Sequence, residues 1–427
     1  MFIERQLSAA ILDIFDSPEP KGIILSGVVG CGKTTLAKNI LKELSTKYDI
    51  KQYTGDDTKF RAAVKTDSTF IYNDAKTSAA DNTLCFIDEV QKSEEIFDAV
   101  KYAYDQGNFS FIVSGSNPAF LSLQARKRLQ RRAQLLELGT LSIPEILLAK
   151  KLINEHDVDF FTKILKFEKP RTIPNSLSCT IDIKTVLSNY LERGGFPLAH
   201  LADSHSDAIT AVQLVVERGF EPILRDGQNI SDLIIMELAK LNSREFSYKN
   251  IMRKSGIKKR NLINEVIQNL VGHGYLISKK PTFFEKPLRS YLSSHCWTDP
   301  GIVSYLVGAP RTPLQEGHLI ESVVHTRLKQ RLQMIAQKSF IHYYKPYTLE
   351  TSGNVKYKAG EIDFIIEHSG AFLPIEVKAT DQWQDIDTTL MTKTIEKENL
   401  DYGVIAYRGE PKFDKQKKIY FWPYWLI

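Results

Sequence analysis

Residues 22–35 read GIILSGVVGCGKTT, and this stretch decides how the rest of the chain is parsed. Its first five residues form a short apolar run. The residues after them fit G-x-x-x-x-G-K-[ST] without a mismatch, and a helical pattern begins at Lys33. Glycines at 27, 30 and 32 let the backbone fold closely around a triphosphate. The amides of Gly27, Val28, Val29, Gly30, Cys31 and Gly32, with the helix start at Lys33, Thr34 and Thr35, present a positive end to anionic oxygens. Lys33 is placed to reach the β- and γ-phosphates of ATP, and the Thr34 hydroxyl to ligate Mg²⁺. The bland alternative, a glycine turn that only joins strand to helix, loses weight because a second motif agrees.

That second motif is LCFIDEV at 84–90, an apolar run ending in two acids. Asp88 is expected in the Mg²⁺ shell, and Glu89 as the group that orients or deprotonates the attacking water. A third apolar run, FSFIVSGS at 109–116, leads to SGSN, so Ser114, Ser116 or Asn117 is a candidate polar sensor. Short polar turns after buried strands are ordinary, and that reading stays open. The helix LSLQARKRLQRR at 121–132 offers Arg132 as a cation for the transition state, in cis or across a subunit boundary; a solvated basic helix face is the alternative.

Three nearly continuous apolar runs alternating with helical stretches predict an α/β fold with a parallel sheet buried on both faces. At 427 residues more than one domain is expected, and 43% hydrophobic with 25% charged residues is a globular balance. No apolar run approaches membrane-spanning length, so no membrane partner and a cytoplasmic location are expected. Cys31, Cys85, Cys179 and Cys296 are scattered, without zinc spacing, and read as reduced packing residues. A net charge of +5 permits an acidic partner such as DNA without demonstrating one.

The pattern divides the chain into four regions: a P-loop core at 1–142, a helical lid or connector at 143–228, a winged helix at 229–285, and a C-terminal α/β domain at 286–427. The second is broken by the turn-like EKPRTIP at 168–174 and RGGFP at 193–197. In the third, short helices precede YLISKK, and Arg253, Lys254, Lys258, Lys259 and Arg260 are candidate phosphate contacts; an interdomain packing module with a solvated basic edge fits as well.

In the fourth region EIDFII and LPIEVKAT stand out. Strand alternation puts Glu361 and Asp363 on one face, and Glu376 and Lys378 on one face of the next strand. With Glu321 on the preceding helix, these groups can hold Mg²⁺ or Mn²⁺ and activate water for phosphodiester cleavage. E-x-K on an edge strand is also a common surface ion pair, but the surrounding apolar residues make unpaired acids costly.

The chain resembles the bacterial and archaeal AAA-type ATPases that carry a C-terminal PD-(D/E)XK nuclease-like domain and are long catalogued as of unknown function. The stretches that carry the resemblance are GVVGCGKTTL, YTGDD, TLCFIDEVQK, SGSNPAFL, LELGTLSIPEIL, RGGFP, WTDPGIVSYLVG, EGHLIES, and EIDFII with IEVK, in the family's order. The resemblance implies an AAA-type P-loop core, a helical lid, a winged helix and a restriction-endonuclease-like α/β domain. It carries Lys33, Thr34, Asp88 and Glu89 over as nucleotide residues, and Glu321, Asp363, Glu376 and Lys378 as the nuclease centre. The loop departs from the family's G-P-R-Q-[VT]-G-K, and the G-R after the sensor helix stands here as Arg131 and Arg132, leaving the arginine's register open.

Two readings of different class emerge. One is an ATPase whose nucleotide state controls DNA binding or Mg²⁺- or Mn²⁺-dependent cleavage, with homo-oligomers expected from the P-loop class. The other is a regulatory ATP switch whose C-terminal domain is an inactive interaction or assembly module. A small-molecule kinase is less attractive because no acceptor-binding constellation stands out.

Overall fold

The computed structural model describes residues 3–427 except 18, 78–81, 169–176, 178, 225–227, 283–291, 309–311, 336–338, 350–354 and 358–359. Most of the EKPRTIP turn and the expected boundary at 285/286 lie outside the described residues.

The N-terminal unit runs α1 (Gln6–Phe15), β1 (Gly22–Ser26), α2 (Lys33–Leu44), β2 (Asp49–Thr54), α3 (Thr58–Thr66), α4 (Phe70–Ala75), β3 (Thr83–Asp88), α5 (Glu95–Asp105), β4 (Phe109–Gly115), α6 (Pro118–Lys127) and β5 (Gln134–Glu137). Its five strands are all parallel in the order β2-β3-β4-β1-β5. β1 and β4 are buried along their whole length, as unbroken apolar runs in a sheet covered on both faces must be. The edge strands β2 and β5 go beyond the three strands expected from sequence. Each has one neighbour, and DIKQYT and QLLE carry too little apolar signal to announce it.

Next in the chain are helices α7 (Ile143–Ala149), α8 (Glu155–Leu165), α9 (Ile181–Arg193), α10 (Pro197–His200) and α11 (His205–Phe220). After them come α12 (Gln228–Lys240), β6 (Glu245–Phe246), α13 (Tyr248–Ser255), α14 (Arg260–Gly272), β7 (Leu276–Lys279) and β8 (Ser293–Trp297), with an antiparallel sheet ordered β6-β8-β7. β8 therefore corrects the expected division: the strand assigned to the C-terminal domain completes the small sheet of the preceding module. Helix α15 (Pro300–Val307) also belongs with the helical layer, packing on α9, α11 and α12.

The remaining chain contains α16 (Pro313–Met334), β9 (Phe340–Tyr344), β10 (Tyr347–Leu349), β11 (Val355–Tyr357), β12 (Ile362–His368), β13 (Ala371–Val377), α17 (Thr389–Lys397), β14 (Gly403–Tyr407), β15 (Lys412–Asp414) and β16 (Ile419–Pro423). Six of these strands form a mixed sheet ordered β15-β16-β14-β13-β12-β9. One face, with Phe364, Ile366 and Ile375, joins a core continuous with α16, the helical layer and one face of the parallel sheet. The other, with Ile362, Ile365 and Ile405, is covered by Met391 and Ile395 of α17. Helix α16 locks the C-terminus and the helical layer together through buried arginines. Arg327 Nε donates to the Ile427 carbonyl at 2.7 Å, and Arg331 donates to the Val158 carbonyl at 3.0 Å and Thr162 Oγ1 at 2.8 Å.

Candidate functional site

Strand β1 delivers Gly27 to the C-terminal edge of the parallel sheet, where the loop 27–32 turns into α2. Gly30 and Gly32 adopt φ of 77° and 99°, a region closed to most side chains. Space is a second constraint: a Cβ on Gly27 would lie 2.3 Å from the Leu138 carbonyl oxygen, and one on Gly30 2.8 Å from Val215 of α11. Lys33, almost fully buried, folds its ammonium back to donate to the carbonyls of Gly27 at 2.9 Å and Val28 at 3.0 Å.

Beside it, Thr34 Oγ1 donates to Asp88 Oδ2 at 2.6 Å. The other Asp88 oxygen accepts from the Ser114 hydroxyl and, at 3.1 Å, from the Glu89 amide. Two hard oxygen donors thus meet next to the lysine, a donor set that fits Mg²⁺. Glu89 has φ 52°, unusual for a residue with a side chain. Its backbone presses on Gly55 of YTGDD, where a Cβ would come within 2.2 Å of the Glu89 carbonyl oxygen. The Glu89 carboxylate accepts from Gln91 Nε2, which also donates to Ser116 Oγ at 3.0 Å. Ser114 and Ser116 thus meet the acids directly or through Gln91.

Asn117 does something else. Its Oδ1 caps α6 by accepting from the Phe120 amide at 3.0 Å, and its Nδ2 lies 3.4 Å from His273 Nε2. The expected role of Arg132 in its own subunit is corrected. Arg132 forks onto Asp105, Nη2 to Oδ2 at 2.9 Å, and its carbonyl oxygen abuts Gly22 at the start of β1, whereas the loop leaves the far end of that strand. A five-residue strand separates the two by roughly 13 Å at about 3.3 Å per residue.

Several residues of this site carry no sequence motif. Arg5, buried just before α1, donates from Nη1 to the Cys31 carbonyl at 2.9 Å, from Nη2 to the Gly139 carbonyl at 2.7 Å, and from Nε to Glu145 at 3.1 Å. Burial alone would raise Glu145, but Arg5 and Arg327 hold its carboxyl below the usual range. RGGFP, read from sequence as a turn, supplies Pro197, 3.6 Å from where a Gly32 Cβ would stand. Its Gly195 amide donates to buried Asp299 of WTDPG at 2.8 Å, and its Gly195 carbonyl accepts from the Leu141 amide at 2.7 Å. Both stretches stand out in the sequence, but nothing there joins them, since the aspartate lies more than a hundred residues further along the chain.

The C-terminal carboxylates gather as strand alternation predicts, with one change. The β12–β13 register puts Phe364 opposite Ile375, so Asp363 and Glu376 lie face to face at the end of the pair. Asp363 Oδ2 accepts from the Val377 amide at 2.7 Å, and Glu376 from the Lys378 ammonium. A register irregularity between Ile362 and Ile365 re-aims the strand at Asp363. Burial, reinforced by Glu376 and Glu321, pushes the Asp363 carboxyl well above its usual range, and burial raises Glu361 and Glu376 too.

The change is at Glu321. Its carboxylate is paired with the buried ammonium of Lys279, on β7 of the preceding module, and with His318 Nδ1 at 3.7 Å. Burial would raise Glu321, but Lys279 and His318 together hold the carboxyl low. Among the described residues no group of three or more His, Cys, Asp or Glu side chains is placed to hold a metal ion. Glu321, expected with Asp363 and Glu376 in a Mg²⁺ or Mn²⁺ site, is paired here with a lysine.

The basic residues Arg253 and Lys254 close α13, while Lys258, Lys259 and Arg260 precede or open α14, and most of this edge is exposed. Arg260 stacks over Tyr248 at 4.7 Å.

Residues 19–147 match an AAA domain. Residues 316–427 match a Domain of unknown function (DUF4143). The five-stranded parallel sheet and the P-loop lie within the stretch that matches the AAA domain. No curated protein matches the chain. Among solved structures, the chain is similar to a replication initiator DnaA bound to AMPPCP and single-stranded DNA: 17% identity, TM-score 0.29, covering 63% of this chain and 90% of that one. AMPPCP-bound DnaA from Aquifex aeolicus is 16% identical with TM-score 0.27, covering 63% of this chain and 89% of its own. Aeropyrum pernix ORC1 in complex with DNA is 13% identical with TM-score 0.28, covering 77% and 92%. Likeness at that level adds nothing to the family match. No helix among the described residues is long and apolar enough to cross a membrane.

Proposed function

We propose that the chain binds ATP with Mg²⁺ on the loop 27–35, hydrolyses it, and passes the nucleotide state to a DNA-contacting module formed by α12–α14 and β6–β8. The observation that carries the first part is the meeting of Thr34 and Asp88 beside Lys33. Thr34 and Asp88 would hold Mg²⁺, which neutralises charge on the phosphates. Lys33 exchanges two loop carbonyls for phosphate oxygens, a stronger charge-assisted interaction. Glu89, steadied by Gln91, orients and deprotonates the attacking water. Calorimetry of ATP–Mg²⁺ binding with wild type and Lys33→Ala tests this: wild type binds and the variant does not. Absence of heat with wild type removes the reading.

The second part rests on three helices with a small antiparallel sheet, the element set of a winged helix, and on its basic edge. The module touches the loop directly, since a Cβ on Gly274 would lie 3.5 Å from Val28. Duplex DNA binding followed by fluorescence anisotropy against salt is the measurement. Replacing Lys258, Lys259 and Arg260 by alanine lowers the log–log salt slope by about 0.9 for each phosphate no longer neutralised. An unchanged slope assigns the basic edge to packing.

For the C-terminal domain the commitment of Glu321 to Lys279 favours the role of a non-cleaving interaction or assembly module. Helix α16 suits it to that role, because Lys329 pairs with Glu137 at 2.7 Å and Gln333 bonds the Glu137 backbone at 2.9 and 3.2 Å, next to the nucleotide loop. Plasmid incubated with wild type and Mg²⁺ or Mn²⁺ stays intact; cleavage that Asp363→Ala abolishes would overturn this.

A further inference from the structure

Lys279 is a lysine in an unusual place. Its side chain is 3% exposed and its partner Glu321 is 9% exposed. Its ammonium lies 5.5 Å from the centre of the Tyr343 ring and 5.6 Å from that of Phe364, on the strand that carries Asp363. Burying an ammonium is costly unless a counterion is already there, so these carboxylates and this lysine are mutually required.

The lysine is also held from behind. Beyond β7 the chain is stitched to β9, the outer strand of the six-stranded sheet: the Lys280 carbonyl accepts from the Tyr343 amide at 3.0 Å, and the Thr282 amide donates to the Tyr343 carbonyl at 2.8 Å. Within the small sheet Lys279 is paired with Ser294. A side chain whose backbone is fixed on both sides is a permanent part of the centre rather than a surface lysine that happened to fold inward.

A divalent ion bound here would need an oxygen from Glu321 at about 2.0–2.6 Å. Oε1 faces the ammonium and Oε2 lies 3.7 Å from His318 Nδ1, and a second cation beside this pair would be repelled in a desolvated setting where charges are weakly screened.

We propose that the Lys279 ammonium is the resident cation of the C-terminal carboxylate centre: delivered by β7, it takes beside Glu321 the place a divalent ion would need, so the folded protein holds that centre metal-free. The inference rests on reading the C-terminal domain as a non-cleaving module, and it supplies the reason for that behaviour.

The test is a Mn²⁺ titration of the nucleotide-free full chain, with free Mn²⁺ followed by electron paramagnetic resonance. Wild type shows no bound Mn²⁺ that Asp363→Asn removes, and Lys279→Arg behaves the same because the charge is kept. Lys279→Met gains one Mn²⁺ held at least about tenfold more tightly than any in wild type, and adding Asp363→Asn takes it away. Lys279→Gln, which drops the charge but keeps a hydrogen bond to Glu321, repeats the comparison should the methionine variant fail to fold. Two results overturn the proposal: Mn²⁺ in wild type that Asp363→Asn abolishes, or no gain in a neutral variant that melts cooperatively and binds ATP. Plasmid cleavage in the same samples separates the two readings, since a wild type that neither binds Mn²⁺ here nor cuts leaves both standing, while cutting without Mn²⁺ at this centre sinks only the non-cleaving module.

Discussion

The two ends of the molecule use one vocabulary, a lysine with acids at the ends of apolar strands, and arrive at opposite electrostatic solutions. At the N-terminal centre Lys33 rests on two backbone carbonyls while Asp88 and Glu89 stay partly exposed. Carbonyls are weak partners for an ammonium, so the lysine is available to a stronger anion. At the C-terminal centre Lys279 is paired with a buried carboxylate, while Lys378 pairs with the half-buried Glu376 at its rim. A buried charge pair resists being opened, because either group left alone bears the full desolvation penalty. The first arrangement suits binding and release of a charged ligand; the second suits permanence.

That contrast can be broken in a defined order. The largest effect belongs to the closed pair: Lys279→Ala costs roughly 3–5 kcal/mol of stability, read from denaturant unfolding, because Glu321 is left buried with only the long contact to His318. A loss under about 1 kcal/mol would show the pair to be open to water and erase the distinction. Next, Glu89→Gln lowers ATP turnover roughly a hundredfold while leaving nucleotide affinity near wild type, measured by steady-state phosphate release and calorimetry. Equal losses in both would make Glu89 a binding group.

A smaller effect is acid sensitivity from the C-terminal side. Burial, with Lys279 and Lys329, pushes the His325 imidazole down to about 3, so it is neutral when folded. The unfolded chain takes up the proton at an ordinary value of about 6.5, so the folded form keeps its full stability above that value and loses stability as pH falls from there towards about 3. His325→Leu should flatten this limb in melting temperatures recorded between those limits; an unchanged limb places the sensitivity elsewhere. The smallest effect is that of Arg132→Ala, which changes turnover of the isolated subunit by less than about twofold, since its guanidinium serves Asp105 in an exposed ion pair. A large loss in the isolated subunit would return Arg132 to its own site, and a loss seen only at concentrations where copies associate would mean that Arg132 acts on the site of a neighbouring copy.

The sequence alone determined what local chemistry can encode. The loop 27–35 is legible because phosphate cradling demands glycines, a lysine and a hydroxyl at fixed spacing. The acids at 88 and 89 are legible because a buried strand must announce itself as an apolar run. Strand alternation likewise puts Glu376 and Lys378 on one face of their strand, while the meeting of Asp363 with Glu376 waits on the register of the pair. Tertiary structure alone decided what depends on distant partners: the edge strands β2 and β5, the clamp of Arg5 on Cys31 and Glu145, the meeting of Gly195 with Asp299, the withdrawal of Arg132 to the far edge of the sheet, and above all the seating of Lys279 against Glu321. The physical reason is that backbone conformation and period are local properties of a chain. The counterion a buried charge finds is set by how separate elements pack, and YLISKK carries no mark of the helix some forty residues on that its lysine will meet.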